Sequence, residues 1–476
     1  MLRSDFDKQI KECMAKHLEQ VNNDKWRSKY HIIPPIGWIN DPNGLCEFNG
    51  EYHCYYQYSP LTPMGGLKFW GHSISKDLVN WEDKGVALYP DINEDKDGVY
   101  SGSAFVKYDT IYFFYTGNVK HAGDHDYILT GREQNVILVT SKDGINFSEK
   151  KVVLRNTDFP KDMSLHVRDP KVWEENGIYY MVLGARTIDD KGCILVYKST
   201  DLYNWEFHSV PAGKNEDMGY MWECPDIFKL ENKDILMFSP QGMEAEGYKY
   251  NNIYQCGYAV GSFEDDKKKL NLGEFVEIDR GFDFYAPQTF EDSKGRRIVI
   301  GWMGVPDAIE HRNPTIDNFW QHQLTIPREL VLKNNKIYQI PIAELEALRK
   351  GNSFKKEISL NEVAILDIFE SNTFELNFNF KECDEFKIEL REDCNLSFSN
   401  GVFKLQLGKS GYGRNMRAVE INNVKSLRVF SDNSSLEVFL NEGEEVFTTR
   451  IYNDKIDSKL KLSGSGTVEV EKWALN

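Results

Sequence analysis

Apolar residues recur at helical spacing at the start of the chain. Phe6, Ile10, Cys13, Met14, His17, Leu18 and Val21 fall on one face, which predicts an amphipathic packing helix over residues 4–24. From about residue 28 to 335 that period is lost, and short aromatic and β-branched runs alternate with Gly, Asp and Asn clusters, the pattern of strands and turns. Five runs are alike: residues 52–58 (YHCYYQY), 111–117 (IYFFYTG), 178–184 (IYYMVLG), 235–241 (ILMFSPQ) and 297–304 (RIVIGWMG). They recur roughly every 60 residues, the length of a four-stranded blade, and predict a five-bladed β-propeller.

A second repeat supports the blades. Residues 75–81 (SKDLVNW) return as 141–147 (SKDGINF) and 199–205 (STDLYNW). These are expected to be turns between outer strands, with Asp and Asn bonding local backbone and the aromatic plugging the blade. Beyond about residue 335 the texture changes. Residues 342–350 (IAELEALRK) read as a linker helix, within a connecting segment 336–353. Residues 354–476 alternate apolar and polar positions, which predicts an all-β second domain, a two-sheet sandwich with a structural or oligomeric role. The expected order is therefore a helical segment over 1–27, a propeller over 28–335, a linker and a sandwich.

Composition narrows the partners. A net charge of −17 argues against a nucleic-acid backbone or an anionic membrane. The first residues carry no signal-peptide core, and no apolar run is long enough to span a bilayer. Eight scattered Cys without a Cys-x-x-Cys pair read as reduced thiols and point to the cytoplasm.

The chemistry lies just before each repeated run. Asn40-Asp41-Pro42-Asn43 precedes the first, Tyr100-Ser101-Gly102-Ser103 the second and Arg168-Asp169-Pro170-Lys171 the third. Trp222-Glu223-Cys224-Pro225 precedes the fourth and Tyr285-Ala286-Pro287-Gln288 the fifth. Proline recurs at 42, 170, 225 and 287. Asp41 alone reads as an ordinary acid in a rigid Pro-x-Gly turn. If equivalent blade positions surround one axis, Asp41, Asp169 and Glu223 share a blade position and converge on one funnel.

Three such carboxylates could hold a hard cation or flank a glycosidic bond. Their neighbours favour the second reading. Arg168 beside Asp169 is expected to hold that acid ionised. Asn40 and Asn43 are expected to donate hydrogen bonds to Asp41 and keep it a nucleophile. Glu223 lies between Trp222 and Cys224, and apolar surroundings favour the protonated carboxyl that a general acid needs.

Residues 38–44 (WINDPNG), 69–72 (FWGH), 100–103 (YSGS), 168–170 (RDP), 222–225 (WECP) and 301–303 (GWM) together resemble glycoside hydrolase family 32. Residues 435–441 (SLEVFLN) are similar to its C-terminal motif. The resemblance implies a five-bladed propeller with a β-sandwich and retaining hydrolysis of β-fructofuranosides, with no metal or organic cofactor. It implies that Asp41 is the nucleophile, Glu223 the acid and base, and Asp169 a stabiliser of the oxocarbenium-like transition state. Asn40, Gln57, Trp70, Tyr100, Ser101, Arg168, Tyr285 and Trp302 would line the sugar pocket. Some members carry a Trp in the loop at 61–67, where this chain has none.

The N-terminal helix and the cytoplasmic setting resemble bacterial sucrose-6-phosphate hydrolases. The expected substrate is therefore sucrose 6-phosphate, or sucrose, cleaved by a monomer or homodimer. Lys120, His121, His311 and Arg312 are candidate phosphate contacts. The alternatives are a fructosidase preferring sucrose or fructooligosaccharides, an inverting arabinan-type hydrolase, and a non-catalytic fructan-binding propeller.

Overall fold

A computed structural model of the chain describes residues 2–475, so the expected outer limits Met1 and Asn476 lie outside the described residues. Helix α1 (Arg3–Asn22) buries Phe6, Ile10 and Val21, one face of the predicted pattern. Phe6 meets Phe69 edge-on at 5.1 Å, and Val21 packs with Trp26, Ile36 and Trp320.

Five antiparallel sheets follow. Their first strands are Gly37–Phe48, Val99–Lys107, Met163–Glu175, Met221–Leu230 and Tyr285–Glu291. The five alike runs fall in the second strands: Glu51–Ser59, Thr110–Lys120, Ile178–Thr187, Lys233–Gln241 and Arg297–Trp302. The first strands touch one another in chain order, and the fifth returns to the first, so they line the inside of a ring. Trp320 and Gln321 pair in parallel with Gly37 and Trp38 and latch the end of the ring to its start.

Every first strand carries the same irregularity. Between the pairs Ile39–Tyr58 and Pro42–Tyr56 it advances one residue more than its partner. The same bulge lies between Val99 and Gly102, Arg168 and Lys171, Glu223 and Asp226, and Tyr285 and Gln288. A bulge re-aims side chains and leaves one residue outside the ladder. Pro170, Pro225 and Pro287 occupy its second residue, where no N–H is required. The residue before each of them, Asp169, Cys224 or Ala286, has φ of 62°, 48° or 46°. Asp41 therefore lies inside a bulged strand, not in a turn before one.

The second repeat behaves as expected. Asp77, Asp143 and Asp201 each turn the chain from a third strand into a fourth. Asp143 accepts the backbone N–H groups of Ile145 and Asn146 at 2.9 and 2.7 Å and the Asn146 amide at 2.7 Å. Asp77 and Asp201 repeat that pattern. The Asn hydrogen bonds hold the Asp143 and Asp201 carboxyls below the usual range.

The expected segment 336–353 is divided differently. Lys336–Pro341 completes the fifth sheet, Ala343–Leu348 forms a 3-10 helix, and Arg349–Ser359 is already a strand of the next unit. Two six-stranded sheets follow. Leu376, Phe378 and Val429 of one share a core with Ile388, Leu396 and Phe403 of the other. The opposite face of the first sheet presents Phe430, Phe439 and Val446 to Ile298, Ile300 and Ile326 of the ring.

The strand Ser435–Leu440 is buried at every position because it serves both cores. Leu436, Val438 and Leu440 face the sheet pair, and Glu437 and Phe439 face the ring. Glu437 accepts from His31 Nε2 at 2.9 Å and from the Arg328 guanidinium. His31 Nδ1 lies 2.7 Å from Asp432 Oδ2. Burial disfavours an imidazolium here, but the hydrogen bonds to Asp432 and Glu437 outweigh it and raise the His31 pKa.

Candidate active site

The site is assembled by the repeated bulge. Counted along it, Arg168, Glu223 and Tyr285 occupy the flanking position, Asn40, Tyr100 and Asp169 the first bulge residue, and Asp41 and Ser101 the second. The three acids thus sit at successive positions, not at the single shared one expected from the prolines. Pro42 is one step out of phase with Pro170, Pro225 and Pro287, which short motif alignment hides.

Asp41 is held by a closed set of polar side chains. Asn40 Nδ2 donates to Asp41 Oδ1 at 2.9 Å and to Gln57 Oε1 at 2.8 Å. Gln57 Nε2 donates to Ser101 Oγ at 2.5 Å, and Ser101 donates its proton to Asp41 Oδ2 at 2.5 Å. Trp38 Nε1 fixes the amide by donating to Asn40 Oδ1 at 2.8 Å. Each donor has a distinct acceptor, so the orientation of the carboxylate is over-determined. Asn43 does not contact the carboxylate as expected; its amide donates to the Asp41 backbone carbonyl at 3.0 Å. Its place is taken by Ser101. Burial raises the Asp41 pKa, and the Ser101 and Asn40 hydrogen bonds work against that.

Arg168 also differs from expectation. Its Nη2 and Nε donate to Glu223 Oε1 at 2.5 and 3.1 Å, while the Asp169 carboxylate lies 3.9 Å from Nε. Asp169 Oδ2 accepts the Cys224 N–H at 3.0 Å. Burial pushes the Asp169 carboxyl up to about 7, with Glu223 adding and Arg168 opposing. Glu223 is not in an apolar setting: Gln241 Nε2 and Tyr285 OH donate to its Oε2 at 2.7 and 2.6 Å. Trp222 points to the other face of the strand, tilted against Phe238 with ring centroids 4.3 Å apart. Alternation of strand side chains explains this, since sequence neighbours face away from each other.

The acids are brought together. Cys224 Sγ lies 3.7 Å from Asp41 Oδ2 and 3.6 Å from Asp169 Oδ2, and Arg168 spans Asp169 and Glu223. Glu223 and Asp41 place like charge beside the buried Asp169 and favour its protonated form. Raising the Asp169 pKa also makes ionised Asp169 a burden on the fold. The folded state keeps a proton that the unfolded chain releases near pH ~4, so stability falls as pH rises from there toward about 7. Asp169→Asn is expected to raise Tm by about 2–4 °C at pH 8 but little at pH 4.5, as read by calorimetry. An equal shift at both pH values would show that ionisation is not the cause.

Of the other predicted residues, Trp70 is fully enclosed, packed edge-on to Phe113 and tilted against Tyr55 and Tyr115. Its Nε1 donates to the Tyr100 carbonyl at 3.0 Å, so it supports Tyr100. Trp302 packs edge-on to Tyr285 and His322, and its buried Nε1 has no partner.

Sequence reasoning missed Trp38, Gln134, Gln241 and Lys68. Gln241 ends the fourth alike run as Gln57 nearly ends the first, a signal that was available. Lys68 left none. Its ammonium lies 4.9 Å over the Trp38 ring, and burial pushes its pKa down to about 7 against the pull of Asp41. Of the phosphate candidates, His311 and Arg312 line a cavity of about 580 Å³. It shares Trp38 with the site but contains none of the three acids. Among the described residues no group of three or more His, Cys, Asp or Glu is arranged to hold a metal ion. No helix among the described residues is long and apolar enough to cross a membrane.

Residues 31–341 match the model of the glycosyl hydrolases family 32 N-terminal domain, and 344–475 that of the family 32 C-terminal domain. The chain is 42% identical to sucrose-6-phosphate hydrolase of Bacillus subtilis, over 96% of this chain and 95% of that protein. It is 37% identical to raffinose invertase of Escherichia coli, with 95% of each covered. Among solved structures, a Bombyx mori GH32 β-fructofuranosidase superposes with a TM-score of 0.86 at 32% identity, covering 100% of this chain and 99% of that one. The sucrose-6-phosphate hydrolase from Lactobacillus gasseri gives 0.88 at 27% identity, covering 98% and 96%.

Proposed function

Because the chain belongs to family 32 of the glycosyl hydrolases, we propose that it hydrolyses β-fructofuranosides with retention, sucrose 6-phosphate first among them, giving fructose and glucose 6-phosphate. The observation that carries the mechanism is the closed ring of Asn40, Gln57 and Ser101 around Asp41. It supports an ionised carboxylate aimed by its neighbours, as attack on the anomeric fructose carbon requires. Glu223 protonates the glycosidic oxygen as the C–O bond breaks and Asp41 forms the fructosyl ester. Glu223 then removes a proton from water, which displaces Asp41 and restores both groups. Asp169 remains uncoupled from bond making and stabilises the positive charge that develops on the ring. Tyr285 and Gln241 orient the Glu223 oxygen that does not bind Arg168.

On this reading the five sheets are blades of a propeller ending at Pro341, and the two six-stranded sheets are a β-sandwich that buttresses it. The protein would act in the cytoplasm as a monomer or homodimer on a small sugar. A second reading, an invertase acting on unphosphorylated fructosides, draws on the similarity to the E. coli raffinose invertase.

Two measurements test the proposal. With methanol as acceptor, retention gives methyl β-fructofuranoside, and the α-anomer as first product would overturn the double displacement. A kcat/KM for sucrose 6-phosphate no higher than for sucrose would overturn the choice of substrate and leave the mechanism standing. Tyr285→Phe is expected to lower kcat about 10-fold, the worth of one hydrogen bond to a charged group, with KM little changed. An unaltered kcat would remove Tyr285 from the catalytic machinery.

A further inference from the structure

A line of side chains leads outward from the acid cluster. Arg168 holds Glu223 through Nη2 at 2.5 Å and donates from Nη1 to Gln134 Oε1 at 3.3 Å. Gln134 and Arg132 lie two residues apart in the strand Arg132–Ser141, hence on one face and ~6.7 Å apart. That is about the breadth of a hexose ring. Lys120, the last residue of Thr110–Lys120, pairs directly with Arg132, so their side chains are cross-strand neighbours. Exposure rises along the line: Gln134 is buried, Arg132 half-buried and Lys120 exposed.

The two outer cations lack partners. The Arg132 guanidinium makes no ion pair or hydrogen bond among the described residues, and its Nε is buried. Among the described residues the Lys120 ammonium contacts only the face of Tyr127, 5.5 Å from the ring centroid. Asp97 and Glu223 are close enough to favour the charges of Lys120 and Arg132, but neither carboxylate pairs with them. Asp97 Oδ2 accepts the Lys120 backbone N–H at 2.8 Å, and Glu133 pairs with His121 Nε2 at 2.8 Å. Like charges directly opposite across a ladder destabilise it, and a partly desolvated guanidinium without a partner is costly. An anion between them would remove both costs, and a phosphate suits the guanidinium fork. The cavity beside His311 and Arg312 suits a dianion less, since Asp283, Asp307 and Asp317 also line it.

We infer that Arg132, with Lys120, forms the subsite that binds the 6-phosphate of the leaving glucose. The inference rests on the reading that the substrate is phosphorylated. Binding the phosphate there fixes the glucose on the Glu223 side of the cluster, where its glycosidic oxygen is protonated.

Two readouts on the full-length protein test it. The first is the ratio of kcat/KM for sucrose 6-phosphate to that for sucrose. Arg132→Gln is expected to lower this ratio about 10- to 100-fold, the range of a charge-assisted hydrogen-bonded pair. The exposed Lys120→Ala should lower it about 3- to 10-fold, and Arg132→Lys should retain more than Arg132→Gln. The second is inhibition of sucrose hydrolysis by glucose 6-phosphate relative to glucose, which Arg132→Gln should weaken to the same degree. If the wild type prefers the phosphate ester and Arg132→Gln and Lys120→Ala keep that preference, the subsite is overturned and the substrate reading survives. If the wild type shows no preference, yet glucose 6-phosphate inhibits through Arg132, the substrate reading falls and the subsite stands. If glucose 6-phosphate inhibits no better than glucose and the preference is absent, both fall.

Discussion

Asp41→Ala is expected to lower kcat for sucrose and for sucrose 6-phosphate by about 10⁴-fold or more while the fold is kept. The size follows from the role. Removing a nucleophile eliminates the covalent route, and losses of this order accompany removal of a group that makes the reacting bond. The fold should survive because Asp41 makes no ion pair among the described residues; its carboxylate accepts hydrogen bonds from Asn40 and Ser101. Its removal also relieves a buried charge that burial and Glu223 both oppose. Ser101→Ala should be milder, about 10-fold, because Asn40 still donates to the other oxygen. The measurement is steady-state kinetics with circular dichroism as the folding control. Asp41→Ala retaining a tenth of wild-type kcat would sink the assignment of the nucleophile.

The second large effect concerns stability. Glu437→Ala is expected to destabilise the protein by about 3 kcal/mol, because His31 Nε2 and Arg328 Nη2 each lose a buried carboxylate partner and keep only Asp432 and Asp279, respectively, as acidic partners. Both cations are buried, and no water can replace the lost carboxylate cheaply. The contribution is also pH-dependent. The folded His31 pKa lies above the unfolded value of ~6.5. Its stabilisation is therefore fully present below pH ~6.5 and is lost as pH rises through the folded value. Urea unfolding of wild type and Glu437→Ala at pH 6 and pH 9 reads both features. A difference below about 1 kcal/mol would show that the clamp contributes little, and one that does not shrink at pH 9 would show that His31 protonation is not the source of the pH dependence.

Much of this protein is legible in its residues. The five alike runs mark the second strands because buried strands need apolar, β-branched and aromatic side chains, whatever their neighbours. The Asp–Asn turns are legible because their hydrogen bonds close within four residues. Ser435–Leu440 stands out in the sequence, but its burial on both faces does not, since alternation cannot say what each face meets.

The site divides along the same line. Which residues are acids, which motifs precede the strands and which family they resemble are properties of the sequence alone. The phase of the bulge is not: it sets Asp41, Asp169 and Glu223 at three successive positions, and only the pairing with the second strands reveals it. Sequence adjacency assigned Arg168 to Asp169 and an apolar setting to Glu223, whereas side chains that alternate across a strand find their partners on other strands. Arg168 reaches Glu223 on the next sheet, and Ser101 reaches Asp41 from another. The sequence by itself determined the chemical groups and the repeating frame, because both depend on local composition. The tertiary structure decided which group touches which, and among the described residues left Arg132 and Lys120 without an acidic partner, because contacts across the ring join residues far apart in the chain.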